Sequence, residues 1–191
     1  MQISYLVTME QALNFLSNQG LDGATNENYE NNIKLYRLAA HDKISEYLGF
    51  EVVSTVYTEE RYMGLGLDRM FLVNRPITTL TKVQYSDVEQ TITDFEIINE
   101  KYIYTEDGVL PRSDKYNLKI SYTAGYTQAS MPSAIRLAAL QLIALYQGMN
   151  GGAGTTIGKG SISDGQGGSE SMDLEAEGRI LESIVAYQKI C

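Results

Sequence analysis

Residues 118–146 read LKISYTAGYTQASMPSAIRLAALQLIALY, and this stretch decides the fold. Its first residues, Leu118 to Tyr122, include the β-branched Ile120 and the aromatic Tyr122, types that favour a strand. Gly125 then lets the chain turn sharply, with Tyr122 and Tyr126 expected to clamp the turn. Pro132 suits a first helical turn, and Ile135 to Tyr146 is apolar on nearly every side. The stretch predicts a strand, a turn and a helix that must be covered by the chain's own core or by another subunit.

Two helices are predicted before this stretch. Thr8 and Gln11 form a capping-box pattern, in which each side chain satisfies the other residue's backbone donor, so a helix is expected over residues 8–19. Apolar residues then recur at helical spacing from Ile33 to Leu48 and stop at Gly49, which predicts an amphipathic helix over residues 28–48.

The middle of the chain, residues 51–123, has the texture of short strands. Asp107-Gly108 fits a tight hairpin turn between two of them, and Arg75-Pro76 interrupts another pair. We therefore expect a small antiparallel sheet. The predicted strands are Val52–Tyr57, Met70–Val73, Thr79–Tyr85, Phe95–Ile98, Tyr102–Tyr104 and Leu118–Tyr122.

The last part of the chain changes composition. Residues 148–171 hold nine of the 17 glycines, which predicts a flexible Gly/Ser-rich loop. A final helix and tail are expected over residues 172–191. Together these patterns predict an α+β fold in which residues 1–147 form one domain, with helices 8–19, 28–48 and 132–147 bundled around the small sheet.

Composition excludes several classes of protein. The net charge is −9, from 15 Lys and Arg against 24 Asp and Glu, which argues against a protein that wraps DNA or coats an anionic membrane. The one cysteine, Cys191, cannot form an internal disulfide. The N-terminus has no secretory pattern, and Ile135 to Tyr146 is shorter than the roughly 20 residues that span a bilayer. A soluble protein is expected.

No motif points to a reaction centre. Residues 154–160, GTTIGKG, lack the spacing and the hydroxyl residue of a phosphate-binding loop. His41 is the only histidine, so a histidine-cysteine zinc site is not expected, and a position on a helix surface or an interface is favoured. Carboxylates stand together at Glu59-Glu60 and Glu106-Asp107. Because these acids form no distinctive pair, neither a catalytic residue nor a cofactor or metal ligand is predicted, although a carboxylate-dependent cytoplasmic enzyme stays open as an alternative.

The junction of sheet and helix resembles one protein family. The strand ending Tyr122-Thr123-Ala124-Gly125-Tyr126, followed by Met131-Pro132-Ser133-Ala134-Ile135 and the apolar helix, is similar to the head-tail connector (adaptor) proteins of tailed bacteriophages. These are ring-forming neck proteins beneath the portal. The Thr8 helix, the helix ending at Gly49 and the segment FLVNRPI at residues 71–77 match the family's order of elements. The resemblance covers almost the whole chain.

The resemblance implies a structural virion protein, assembled in the host bacterial cytoplasm, rather than an enzyme. Its expected partners are the portal protein, a stopper or tail-completion protein, and about eleven further copies in a ring closed by heterologous contacts. DNA would pass through the channel without specific binding, repelled by the acidic chains. A different neck or tail-completion ring is the nearest alternative.

The resemblance also assigns roles to residues. The C-terminal helix of the family reaches toward the portal, so its apolar residues are docking candidates, with packing in the chain's own core as the alternative. The helix faces are candidates for contacts between subunits, and four residues form the structural turn. The docking candidates are Ile180, Leu181, Ile184, Val185 and Tyr187; the interface candidates are Ile33, Tyr36, Ala40, Ile44, Leu137 and Leu140; the turn residues are Tyr122, Gly125, Tyr126 and Pro132.

Overall fold

The computed structural model describes residues 5–21, 27–105, 110, 112, 116–150 and 169–188. The chain divides into two compact units: unit 1 takes its residues from Met1–Gly49 and Ser130–Cys191, and unit 2 is Phe50–Ala129. Among the described residues, unit 1 holds four α-helices and unit 2 holds seven β-strands, which confirms the predicted α+β class. The predicted glycine-rich loop falls mostly on residues 151–168, outside the described residues.

The described part of unit 1 consists of four α-helices, and the first three lie where the sequence predicted helices. Thr8 caps the first helix as expected: its Oγ1 accepts a hydrogen bond from the Gln11 backbone N at 3.1 Å, and Gln11 Oε1 accepts one from the Thr8 backbone N at 2.9 Å. The helices are α1 (Met9–Asn18), α2 (Glu27–Leu48), α3 (Ser133–Asn150) and α4 (Ser169–Glu182).

The final helix occupies only the first part of residues 172–191, the segment predicted as a helix and tail. Helix α4 ends at Glu182, and a single 3-10 turn follows at Val185–Tyr187. The reason is local, because Ser183 Oγ donates a hydrogen bond to the Ile180 carbonyl at 2.6 Å. The backbone N of Ser183 also bonds that carbonyl, three residues back, so the last helical turn tightens and the α-helix stops.

Helix α3 is the central element of unit 1. It packs against α1, α2 and α4, and Ile135, Ala138, Leu142 and Ile143 are buried along it. Covering a helix that is apolar on most sides therefore uses the apolar faces of its three neighbours within the same chain. His41 is also buried, so the expected surface position for this residue is wrong. It directly follows the buried Ala40 on α2.

Unit 2 contains two antiparallel sheets rather than one. The four-stranded sheet has the order β1-β7-β3-β4 and the three-stranded sheet the order β2-β6-β5. The predicted hairpin around Asp107-Gly108 lies outside the described residues, but its flanking strands β6 and β7 belong to different sheets and do not pair. The strands are β1 (Thr55–Tyr62), β2 (Arg69–Phe71), β3 (Ile77–Tyr85), β4 (Val88–Glu89), β5 (Phe95–Ile98), β6 (Tyr102–Thr105) and β7 (Leu118–Ala124).

One buried cluster joins the two sheets of unit 2. Strand β7 lies in the middle of the four-stranded sheet and buries alternate residues, Leu118, Ile120 and Tyr122, on one face. Met70 of β2 and Ile103 of β6 belong to the same cluster. The two sheets thus share one hydrophobic core.

The turn at Gly125 requires glycine. Its φ angle is +100°, which residues with a side chain rarely adopt, and a Cβ placed there would lie 2.6 Å from the Val53 carbonyl oxygen. The neighbouring backbone explains the close approach, because Tyr126 N donates to Val52 O at 2.7 Å and Ser54 N donates to Tyr126 O at 2.9 Å. The chain leaves β7 while hydrogen-bonded to the segment that enters β1.

A polar cluster of Glu60, Tyr62, Asn74 and Tyr122 ties β1, β7 and the segment before β3 together. The hydroxyls of Tyr62 and Tyr122 each donate to Glu60 Oε2 at 2.6 Å, and Asn74 Nδ2 donates to Glu60 Oε1 at 3.2 Å. The Tyr122 hydroxyl also accepts a hydrogen bond from the Asn74 backbone N at 3.3 Å. The carboxylate therefore has three donors, which offsets the cost of bringing it against an apolar core.

Three tyrosines of unit 2 have raised pKa values. Burial raises the pKa of Tyr62 and of Tyr122, and their hydrogen bonds to Glu60 raise it further. The Tyr57 ring stacks on the Tyr122 ring, with centroids 5.2 Å apart, and burial together with the charge of Glu51 raises the pKa of Tyr57 to about 12. Within the described residues the Tyr57 hydroxyl is buried and makes no hydrogen bond.

Replacing the turn glycine is expected to destabilise the fold. Gly125→Ala should lower the free energy of unfolding by about 2 kcal/mol or more, because the new Cβ meets the Val53 carbonyl and the positive φ is strained. Gly148→Ala in α3 is the control: nothing lies within 4 Å of that Cβ position, and alanine favours a helix by about 0.5–1 kcal/mol. Urea unfolding followed by circular dichroism measures both, and equal stability of the two variants would contradict the account of the turn.

Stability is expected to fall in alkali. Because folding raises the pKa of Tyr57 to about 12, the folded chain keeps a proton that the unfolded chain begins to release near pH 10. This contribution is complete below about pH 10 and is lost as the pH rises toward 12. Tyr57→Phe should leave the stability at neutral pH unchanged or higher, since the lost hydroxyl has no partner, and should make the alkaline loss smaller. An unchanged alkaline slope in urea unfolding would refute this origin.

Candidate interaction surfaces

The C-terminal segment, residues 180–188, divides the docking candidates into two groups. Leu181 and Ile184 are buried within the chain, as the core-packing alternative predicted for them. Val185 is 53% exposed, while Ile180 and Tyr187 are half-buried. A partner that binds this segment in the described conformation therefore contacts mainly the Val185 side chain. The half-buried Ile180 and Tyr187 offer it less surface.

Polar contacts hold α4 and the C-terminal segment to the rest of unit 1. Lys43 Nζ lies 2.8 Å from Glu177 Oε1, and Gln188 Nε2 donates to the Tyr47 carbonyl at 3.1 Å. The hydrogen bond to Glu177 raises the pKa of Lys43. Burial raises the pKa of Tyr146 to about 12, helped by the charge of Glu177 and a hydrogen bond with it. Glu177 is thus a shared acceptor that links α4 to α2 and α3.

The six interface candidates also fall into two groups. The side chains of Ile33, Ala40 and Ile44 are buried in this chain and offer no surface to a neighbour in the described conformation. Leu137 is 48% exposed. Tyr36 and Leu140 are half-buried, and the Tyr36 ring lies 6.3 Å from the Tyr146 ring between centroids. Only the second group reaches the surface.

The four turn residues do different things. Gly125 and Tyr126 make the turn through their backbones. The Tyr122 ring is buried in the core, and its hydroxyl belongs to the polar cluster with Glu60. Pro132 stands just before α3, and its carbonyl accepts the first helical hydrogen bond, from Arg136 N at 3.1 Å.

An apolar surface on unit 2 was missed by sequence reasoning. Met63, Leu65, Leu67 and Phe71 are exposed around β2, and we call these four residues the apolar patch. With Tyr62, Arg69 and Met70 they line an open groove of about 320 Å³. The one signal in the sequence was the run Leu65-Gly66-Leu67, in which leucines stand in a glycine-containing loop instead of in a strand or helix.

The carboxylates do not assemble a catalytic centre among the described residues. Glu60 is bound to two tyrosines and an asparagine, whereas Glu59 is exposed on a bulge of β1 with a φ of +53°. Glu106-Asp107 lies outside the described residues. In the described part of the chain, no three His, Cys, Asp or Glu residues lie close enough to hold a metal ion, and no helix is long and apolar enough to cross a membrane.

Solved structures share this fold. Chains in the neck of an empty gene transfer agent (GTA) particle solved with C6 symmetry match with a TM-score of 0.59 and 15% identity. Chains in the neck of the native GTA particle with C12 symmetry match with a TM-score of 0.54 and 14% identity. Each match covers 100% of this chain and 97% of the other. At these identities the likeness shows the fold.

Sequence comparison identifies the family. No curated protein is significantly similar to the chain, but a family model described as head completion protein matches residues 6–163. The match takes in both units of the fold and far more than half of the sequence. The chain therefore belongs to the head completion protein family, and it is a structural component of a phage-type virion and not an enzyme.

Proposed function

We propose that the chain is a head-tail connector (adaptor) subunit in the neck of a phage-type particle. Copies form a ring that extends the portal channel, helps to retain the packaged DNA and gives a stopper or the tail its docking platform. The observation that carries the proposal is the match of residues 6–163 to the head completion family. The GTA neck chains of the same fold lie in assemblies with C6 and C12 symmetry, which supports a ring of about twelve copies.

The C-terminal segment is the proposed contact with the portal. Val185 supplies an exposed apolar side chain, and Ile180 and Tyr187 extend the same segment. Leu181 and Ile184 act as anchors that fix this segment to unit 1 by burial. Docking of an apolar side chain into a pocket of a partner is the kind of contact that dominates interface energies.

Contacts between neighbouring subunits are proposed at the surface-reaching helix candidates, Tyr36, Leu137 and Leu140. The buried candidates Ile33, Ala40 and Ile44 support this surface from within. A closed ring needs two unlike faces on each subunit, so this helical surface accounts for one side of the contact.

The acidic composition of the chain gives a mechanism for the passage of DNA through the channel. With a net charge of −9 per chain, about twelve copies carry on the order of a hundred negative charges. A lumen lined by part of this charge repels the DNA backbone, so the genome slides through without specific binding. A lumen lined mainly by Lys and Arg would contradict this mechanism.

Native mass spectrometry of the purified chain, alone and with the portal protein of its own particle, tests the proposal. We expect a complex with about twelve copies on the portal, because the portal provides the template on which the ring closes. A chain that remains a monomer in both samples would refute the connector function.

The portal contact has its own test. Val185→Asp is expected to weaken binding to the portal at least about tenfold, which corresponds to ~1.4 kcal/mol, because a charge replaces an apolar contact. Val88→Asp on β4 is the matched control, since Val88 is similarly exposed but lies in unit 2. Surface plasmon resonance measures both affinities. Equal binding by the two variants would exclude Val185 from the contact.

A further inference from the structure

We infer that the bulge of β1 at Thr58 and Glu59 keeps the free edge of this strand from pairing with a second copy of the chain. The inference goes beyond the proposed function and does not rest on it, because it concerns the strands of unit 2 alone. It leaves the contacts between ring neighbours on the helical surface of unit 1.

Strand β1 is the longest of the end strands in the two sheets of unit 2. It stands at one end of the four-stranded sheet and, within the described residues, pairs only with β7. It has eight residues, whereas the other end strands, β4, β2 and β5, have two, three and four. A long end strand leaves a row of backbone donors and acceptors open to another chain, and a short one offers few of them. Protection against strand addition is therefore needed at β1 above all.

The side chains in the first half of β1 do not supply this protection. Thr55, Val56 and Tyr57 are all types that favour strands, and Val56 is 64% exposed. None of the three is charged and none is proline, which are the residue types that blunt the edge of a sheet. The charged residues of β1 all stand in its second half. A regular β1 of this composition would be a template on which another chain could add a strand.

The bulge interrupts the edge of β1 at its middle. Two residues, Thr58 and Glu59, lie opposite the single residue Ser121 of β7. Glu59 has a φ of +53°, and its backbone N donates to Ser121 Oγ at 3.0 Å. The regular runs that remain, Thr55–Tyr57 and Glu60–Tyr62, have three residues each and are shorter than β5. A straight incoming strand cannot match the hydrogen-bonding groups of both runs, because the extra residue puts them out of step.

Contacts in the core fix the bulge in this place. The Tyr57 ring stacks on the Tyr122 ring with centroids 5.2 Å apart, and the Tyr62 hydroxyl lies 3.3 Å from the Tyr122 hydroxyl. Tyr57 and Tyr62 are five positions apart, so a regular strand would place them on opposite faces. The extra residue brings both onto the face of Tyr122. The bulge therefore cannot slide along β1 while these two contacts persist.

Deleting one of the two bulge residues from the full chain tests the inference. Removal of Thr58 leaves Glu59 alone opposite Ser121, so the strand becomes regular but keeps the charge of Glu59. The residues on either side, Tyr57 and Glu60, retain their partners on β7. Glu59→Gly is the matched control. Glycine adopts a positive φ without strain, so this variant keeps the bulge and loses the charge.

Sedimentation velocity over a range of protein concentrations, without the portal, measures the association of each chain. We expect the Thr58 deletion to form larger species at a concentration at least about tenfold lower than the unchanged chain does. Glu59→Gly should behave like the unchanged chain. Hydrogen exchange on the same samples locates the contact: the backbone amides of β1 should become protected as the deletion variant associates, because an added strand bonds them.

Three results would overturn the inference. The first is a folded Thr58 deletion that associates no more than the unchanged chain, or associates without protection of β1. The second is association of Glu59→Gly through β1, since the charge and not the bulge would then protect the edge. Deletion of Glu59 instead of Thr58 gives a second straight strand, and urea unfolding checks both deletions. If neither folds, the bulge serves the fold of unit 2 alone, which is the third result.

Discussion

The apolar circumference of α3 is the constraint on which unit 1 depends. A helix that is apolar on most sides, with Ile135, Ala138, Leu142 and Ile143 buried along one broad face, is stable in water only when other elements cover it. Here α1, α2 and α4 do so within one chain. The sequence left open whether the chain's own core or a neighbouring subunit covers this helix. In the structure, helices of the same chain cover most of it. The proposed contacts with other chains therefore use the side chains that remain exposed, such as Leu137 on α3 and Val185.

The main constraint in unit 2 is a carboxylate, that of Glu60, which lies beside the hydrophobic core. Glu60 could suggest an acid catalyst, but its two oxygens already accept hydrogen bonds from Tyr62, Tyr122 and Asn74. Those donors come from separate segments of the chain, so the cluster links β1 to β7 and to the start of β3. A carboxylate with its acceptor capacity used in this way stabilises a fold and has little left for a substrate. The absence of catalysis follows from the family, and the geometry of Glu60 agrees with it.

Local patterns in the sequence predicted the parts of the fold that local interactions decide. The Thr8 capping box, the helix ending at Leu48 and the strand Phe95–Ile98 were all correct, because caps and periodic apolar faces act over a few residues. The expected phage class and virion location are confirmed by the family match. The number of sheets was not predictable in this way, since the pairing of β2 with β6 joins residues more than thirty positions apart.

The candidate surfaces show the same division. Helical spacing placed Leu181, Ile184 and Val185 on one apolar segment. Spacing alone does not reveal which of these side chains are buried in the chain's own core. The 3-10 turn after Glu182 decides this, by turning Ile184 inward and leaving Val185 outside. The sequence does not predict the apolar patch, because Leu65 and Leu67 lie in a loop, where no helical or strand periodicity marks them.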